Sequence, residues 1–177
     1  MKVWLALPLI WLAAPALAAP FALSLPQGAA LSAERTAAAT SYDMRIGPWN
    51  PQAPPTQTVE GLRTDRAWRL RGNQETSLQI FAPLRAQIEA AGYALIYQCE
   101  TDACGGFDFR YALDLIPEPE MHVDLGDFRY LAARKGDGWL ALTVSRSSES
   151  GFVHLTRITA QEIAAPAPAD ILAPPPP

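Results

Sequence analysis

From Leu62 to Arg71 the chain alternates strictly. Leu62, Thr64, Arg66, Trp68 and Leu70 fall on one side of an extended backbone, and Arg63, Asp65, Ala67, Arg69 and Arg71 on the other. A period of two marks a strand, because successive side chains point to opposite faces. The period recurs along the chain. Tyr42, Met44 and Ile46 alternate with Asp43 and Arg45 ahead of a Gly47-Pro48 stop, which reads as a half-buried strand. Tyr93, Leu95 and Tyr97 stand opposite Ala94 and Ile96 in a short apolar strand. "FDFRYALDL" places Phe107, Phe109, Tyr111, Leu113 and Leu115 on one side and predicts a further strand, with a short helix as the alternative. The last third reads as a meander: a strand over 128–134, a Gly136-Asp137-Gly138 turn, a strand over 139–145, an "RSSESG" turn, and a strand over 152–158.

One stretch follows the helical period instead. Thr76 and Gln79 have the capping-box spacing, and Leu78, Phe81, Leu84, Ile88 and Ala91 then share a face up to a Gly92 stop. Pro83 inside this run removes a backbone donor and predicts a kink or a later start. The Ala-rich segment from Phe21 to Ala39 shows only a turn at Pro26-Gln27-Gly28, and "NPQAPPTQ" and "IPEPEMH" read as irregular. Strands with one clear helix give an α+β domain: an antiparallel sheet with one main helix packed on a face and a C-terminal three-strand meander.

The start of the chain sets its compartment. Lys2, an apolar run from Val3 to Leu12 and Ala16-Leu17-Ala18 form a secretory signal peptide over residues 1–18. The run falls short of the about 20 apolar residues that span a bilayer, and no later segment reads as a transmembrane helix. The α+β domain then covers 20–160, and 161–177, with Pro166, Pro168 and Pro174 to Pro177, reads as an extended proline-rich linker or tail. The whole chain has 14 basic and 18 acidic groups, and losing Lys2 takes the formal charge from -4 to -5. Nucleic-acid binders carry a basic excess, so that class of partner is excluded.

Export decides how the two cysteines are read. Four residues separate Cys99 from Cys104, which is followed by Gly105-Gly106. In an oxidising compartment two such cysteines pair, and we expect a Cys99–Cys104 disulfide. A redox centre would need C-x-x-C at a helix start, and a structural zinc site would need four ligands, with His122 and His154 at no ligand-like spacing. No metal and no cofactor is expected.

Other polar groups are weaker candidates. His122 with Asp124 has the make-up of a base and its orienting carboxylate, but reads as an exposed edge pair; His154 reads as a surface or cross-strand residue. No serine sits in a G-x-S-x-G elbow. The acids between Glu100 and Asp127 lack a calcium-loop pattern. No catalytic residue is assigned. Arg63, Arg66, Arg69 and Arg71 are the candidate ligand-binding residues, with ion pairing to Asp65 and its neighbours as their first use.

Three stretches, "FALSLPQGAALSAERTAAATSYDMRIGPW", "CETDACGGFDFRY" and "VDLGDFRYLAAR", resemble the N-terminal region of OmpA-family envelope proteins of Gram-negative, especially alphaproteobacterial, type. The resemblance covers nearly all of 20–160, and the cysteine neighbourhood is its most specific part. It implies a periplasmic or outer-membrane-associated location and cell-envelope components as partners, reached through a peptidoglycan-binding OmpA-like domain or chain. The helix motif of that domain, and the aspartate and arginine that grip diaminopimelate, are absent from these 177 residues. No peptidoglycan-binding residue therefore carries over. The expected function is a non-enzymatic envelope module. The alternatives are a small periplasmic hydrolase using His122 or His154, and a binder of an anionic envelope component through the arginine strand.

Overall fold

A computed structural model describes residues 21–160. The leader read at 1–18 and the proline-rich tail read at 161–177 lie outside the described residues. Six antiparallel strands form one sheet: β1 (Ala29–Arg45), β2 (Thr56–Arg71), β3 (Ala94–Glu100), β4 (Phe128–Lys135), β5 (Gly138–Arg146) and β6 (Ser150–Thr159). Their order across the sheet is β1-β2-β6-β5-β4-β3. Helices α1 (Ser77–Ala90), α2 (Thr101–Cys104) and α3 (Gly106–Tyr111) complete an α+β domain. Among the described residues no helix is long and apolar enough to cross a membrane.

The alternation of each strand sorts its side chains between two faces. On one face, α1 lays Ile80, Phe81, Leu84 and Ile88 against Leu70, Leu131, Leu140, Leu142, Val144, Val153 and Leu155. Its start is fixed by the Thr76–Gln79 capping box, with both reciprocal hydrogen bonds present, so Pro83 sits inside the helix without delaying it. Leu78, expected on the buried face, is exposed, and Ile80 takes its place.

The opposite face is covered by α2, α3 and the 112–127 connection, around Phe109, Leu113, Phe128 and Tyr130. The strand expected from Phe107 to Leu115 is not formed; its first half is α3, the short helix that was the alternative. Spacings of two and of four coincide on every second pair. Phe109 and Leu113 point inward, while Phe107 and Tyr111 are exposed and pack ring to ring at 4.2 Å. That split follows the helical i,i+4 rule.

β1 starts at Ala29, well before the strand expected near Tyr42. Its first half is an edge lying along β2 from Leu70 to Arg63, and its many alanines give little contrast between faces. The register then shifts between Ala37 and Thr40, with Ala39 at φ 49°. Across the ladder, Gly61 has φ 152°, and a Cβ there would lie 2.3 Å from the Thr159 carbonyl oxygen. At this point the β1–β2 hairpin leaves β6 and bends over the face that carries α3. Tyr42, Met44 and Val59 meet Phe109, Phe128 and Tyr130, and Tyr130 Oη donates to Arg45 O at 3.0 Å. Three strands separate β1 from β4 in the sheet order, so this contact curls the sheet around its second core.

The Cys99–Cys104 disulfide sits where β3 ends, with Cα atoms 5.1 Å apart. Cys104 is fully buried, and its carbonyl accepts the Trp49 N–H at 2.7 Å, fastening the cysteine loop to the β1–β2 loop. Gly105 is required there: its φ is 114°, and a Cβ would lie 2.4 Å from Trp49 Cβ. By the chain-entropy argument a loop this short is worth about 2 kcal/mol. The Cys99→Ser/Cys104→Ser double variant is therefore expected to lose about that much unfolding free energy and to unfold at lower urea than the oxidised protein. An unshifted urea midpoint would show that the staple constrains nothing.

Candidate functional site

The four arginines of β2 do not act as one stripe. Arg63 is buried in an ion cluster with Asp65. Asp65 has no exposure, and its oxygens accept from Arg35 Nε at 2.9 Å, Arg63 Nη2 at 3.1 Å and Thr156 Oγ1 at 2.7 Å. Arg63 Nε lies 2.9 Å from the same carboxylate, an electrostatic contact without hydrogen-bond alignment. Arg63 also bonds the Asp114 carboxylate and donates to Asp114 O at 2.7 Å, while its guanidinium lies 4.3 Å from the centre of the Tyr42 ring. Arg35 Nη2 completes the set, 3.1 Å from Asp114 Oδ1.

Burial would raise the Asp114 carboxyl, but the hydrogen bond and charge of Arg63, then those of Arg35, outweigh it and hold it below the usual range. Burial pushes the Tyr42 hydroxyl up to about 12, against the opposing charge of Arg63. Two acids and two arginines thus satisfy one another, and they clamp the 112–127 connection to the sheet. This is a structural centre. Arg35, Asp114 and Thr156 escape sequence reasoning because they lie far along the chain from β2, although Asp65 flanked by arginines signals ion pairing.

The histidines are equally separate. His154, read as a surface or cross-strand residue, stands across from Ala67 and Thr143 on β6 but is only 1% exposed, and its Nε2 accepts the Ile116 N–H at 3.2 Å. It is buried because β6 is a central strand with both faces covered. Burial lowers its pKa to about 4; Asp65 opposes this, and Arg35 and Arg63 reinforce it. His122 does not meet the carboxylate of Asp124. Its Nδ1 lies 2.7 Å from Glu118 Oε1, and its ring packs 5.5 Å from that of Phe152. Asp124 Oδ1 instead accepts the Gly126 N–H. Among the described residues neither histidine is hydrogen-bonded to a hydroxyl or thiol, and no cluster of three or more metal-ligating side chains occurs.

One concave surface lies on the face that carries α1, toward the β2 side. Helix α1 covers β4 and β5, and the segment 21–25 crosses the sheet beyond it as a strap. Gln87 on α1 holds that strap through both backbone groups of Ser24, at 2.7 and 2.9 Å. Arg157 Nη1 donates to Phe21 O at 2.9 Å, and Phe21 packs against Tyr93. Between strap and strands runs a groove of about 420 Å³. Its walls include Phe21, Leu23, Leu62, Trp68 and Leu155, with Arg66 and Arg157 as its cations. Arg66 is paired with Glu34 at 2.7 Å, whereas Arg157 Nε is buried without a partner. The alternation of β2 places Leu62, Thr64, Arg66 and Trp68, which line this wall, on one side of the strand; the strap gave no periodic signal.

Arg69 and Arg71 stand apart from both centres, at the end of β2, with no carboxylate within ion-pair distance among the described residues. No protein-family model matches the chain, and no curated protein matches it.

Proposed function

We propose that the chain is an exported, non-enzymatic module of the Gram-negative cell envelope, of the OmpA-family type, and that it binds an anionic single-chain amphiphile. The groove under the 21–25 strap carries this reading. Its volume is in the range of small-molecule sites, roughly 300–1,000 Å³, and its composition has their usual form of apolar walls with few polar groups. An acyl chain would lie on Leu62, Trp68 and Leu155, and Arg157 would meet the head group. Binding is favoured over hydrolysis because the better-held histidine is sealed in the core and the other faces only Glu118.

Trp68 reports the test. Titration with oleate below its micellar concentration is expected to give a saturable blue shift of tryptophan emission. Trp68→Phe should abolish the shift, and Arg157→Gln should weaken binding about tenfold, as loss of a charge-assisted contact does. A shift that never saturates, or that survives in Trp68→Phe, would place the ligand elsewhere.

A further inference from the structure

We propose that Arg69 and Arg71 form a phosphate-binding site at the end of β2, on the opposite face from the groove and independent of it. Of the four β2 arginines, Arg63 and Arg66 are neutralised by Asp65, Asp114 and Glu34. Arg69 and Arg71 are not. Arg69 is held in place without being neutralised: Nε donates to Ser150 Oγ at 3.2 Å, and the guanidinium lies 5.4 Å from the Phe152 ring centre. Its terminal nitrogens have no acceptor among the described residues. Arg71 is exposed and makes no side-chain hydrogen bond or ion pair there.

Two hollows open around this pair, of about 470 and 340 Å³, and Arg69 and Arg71 line both of them. Gln74 and Ser150 add polar groups to the larger one, and Ser32 to the smaller. Each hollow is also lined by a glutamate, Glu149 in the larger and Glu120 in the smaller, neither of them paired with an arginine among the described residues.

The spacing selects the ligand. Residues two apart on a strand lie about 7 Å apart and point the same way. One guanidinium fork saturates a carboxylate, whereas a phosphate with three free oxygens accepts from two forks at once. A lipid head group and a soluble molecule can both supply this group, and the shared chemistry is a terminal phosphate dianion.

Two arms of one experiment separate these sources. Inorganic pyrophosphate is titrated calorimetrically into the full chain at low salt. In parallel the protein is floated with phosphatidylcholine vesicles that contain or lack phosphatidic acid. Saturable binding in either arm, weakened about tenfold by Arg71→Gln and unchanged by Arg66→Gln, supports the site. Arg71 is exposed and unpartnered, so that variant is expected to fold, with an unchanged melting temperature as the control. Glu149→Gln removes a nearby repelling charge and should tighten binding. Vesicle binding alone assigns a lipid head group, and pyrophosphate binding alone assigns a soluble phosphate. Binding in neither arm, or equal weakening by Arg66→Gln, overturns the proposal, because the effect would then be net charge and not this pair.

Discussion

Replacing Asp65 with alanine is expected to cost about 3–5 kcal/mol, the usual effect of removing one partner from a buried ion pair. For a domain of this size that corresponds to a fall in melting temperature of roughly 10–20 °C. Asp65 is wholly enclosed and accepts from Arg35, Arg63 and Thr156. Without it, Arg63 stays buried against the Tyr42 ring with Asp114 as its remaining counter-charge, and the Thr156 hydroxyl loses its acceptor. The loss comes less from the attraction removed than from the charge left behind. Asp114→Ala should cost clearly less, since its side chain is 55% exposed and water can replace it. Equilibrium urea unfolding of the two variants is the measurement. An Asp65→Ala loss below that of Asp114→Ala would mean that the cluster is not held together from its buried end.

How much of this was legible follows from which physics leaves a local trace. The three C-terminal strands announce themselves, because alternation and Gly or Ser turns are local signals. They were expected over 128–134, 139–145 and 152–158, and run over Phe128–Lys135, Gly138–Arg146 and Ser150–Thr159. The first half of β1 left no trace, since an alanine-rich edge strand draws its order from β2 and not from its own contrast. Residues 107–111 misled because aromatics at every second position fit two periods. The left-handed turn at Gly105 and the packing of Phe109 decide for a helix, and both are tertiary.

The candidate site divides in the same way. Ion pairing of the β2 arginines was readable from Asp65 among them, but Arg35 and Asp114 reach Arg63 and Asp65 only through the fold. For His154 the chain does carry a local signal. In "FVHLTRI" Phe152 and Ile158 lie on one side and Val153 and Leu155 on the other, so both faces carry large apolar residues, as a strand buried on both sides requires. A histidine in such a strand is a core residue.

That placement gives His154 a measurable effect on stability. The groups facing it are Asp65 and Arg63 on β2, Arg35 on β1, and Asp114 and the Ile116 N–H on the connection over the sheet. The neutral ring accepts that N–H on Nε2; a ring protonated there could not, and it would place a buried cation beside two arginines. Burial therefore lowers the folded-state pKa to about 4, against about 6.5 in the unfolded chain. A depressed histidine pKa means that the unfolded state takes up the proton first. Stability is thus complete above pH about 6.5, falls as pH drops from there toward about 4, and falls no further through this group below that. The full difference is about 3 kcal/mol. Asp114 acts in a separate window: its carboxyl is held low in the fold, so its contribution is lost only as the pH falls below the ordinary carboxylate range. Urea unfolding at pH 7.5, 6, 5 and 4 separates the two. The parent protein should lose most of the 3 kcal/mol across that series. His154→Gln, which keeps an acceptor for Ile116 and cannot be protonated, should be nearly flat down to the carboxylate window. His122→Gln should follow the parent, because His122 is half-exposed beside Glu118 and outside this cluster. If His154→Gln keeps the parent's slope, the acid sensitivity arises elsewhere, and the bond from Ile116 to the imidazole is not what holds the connection down.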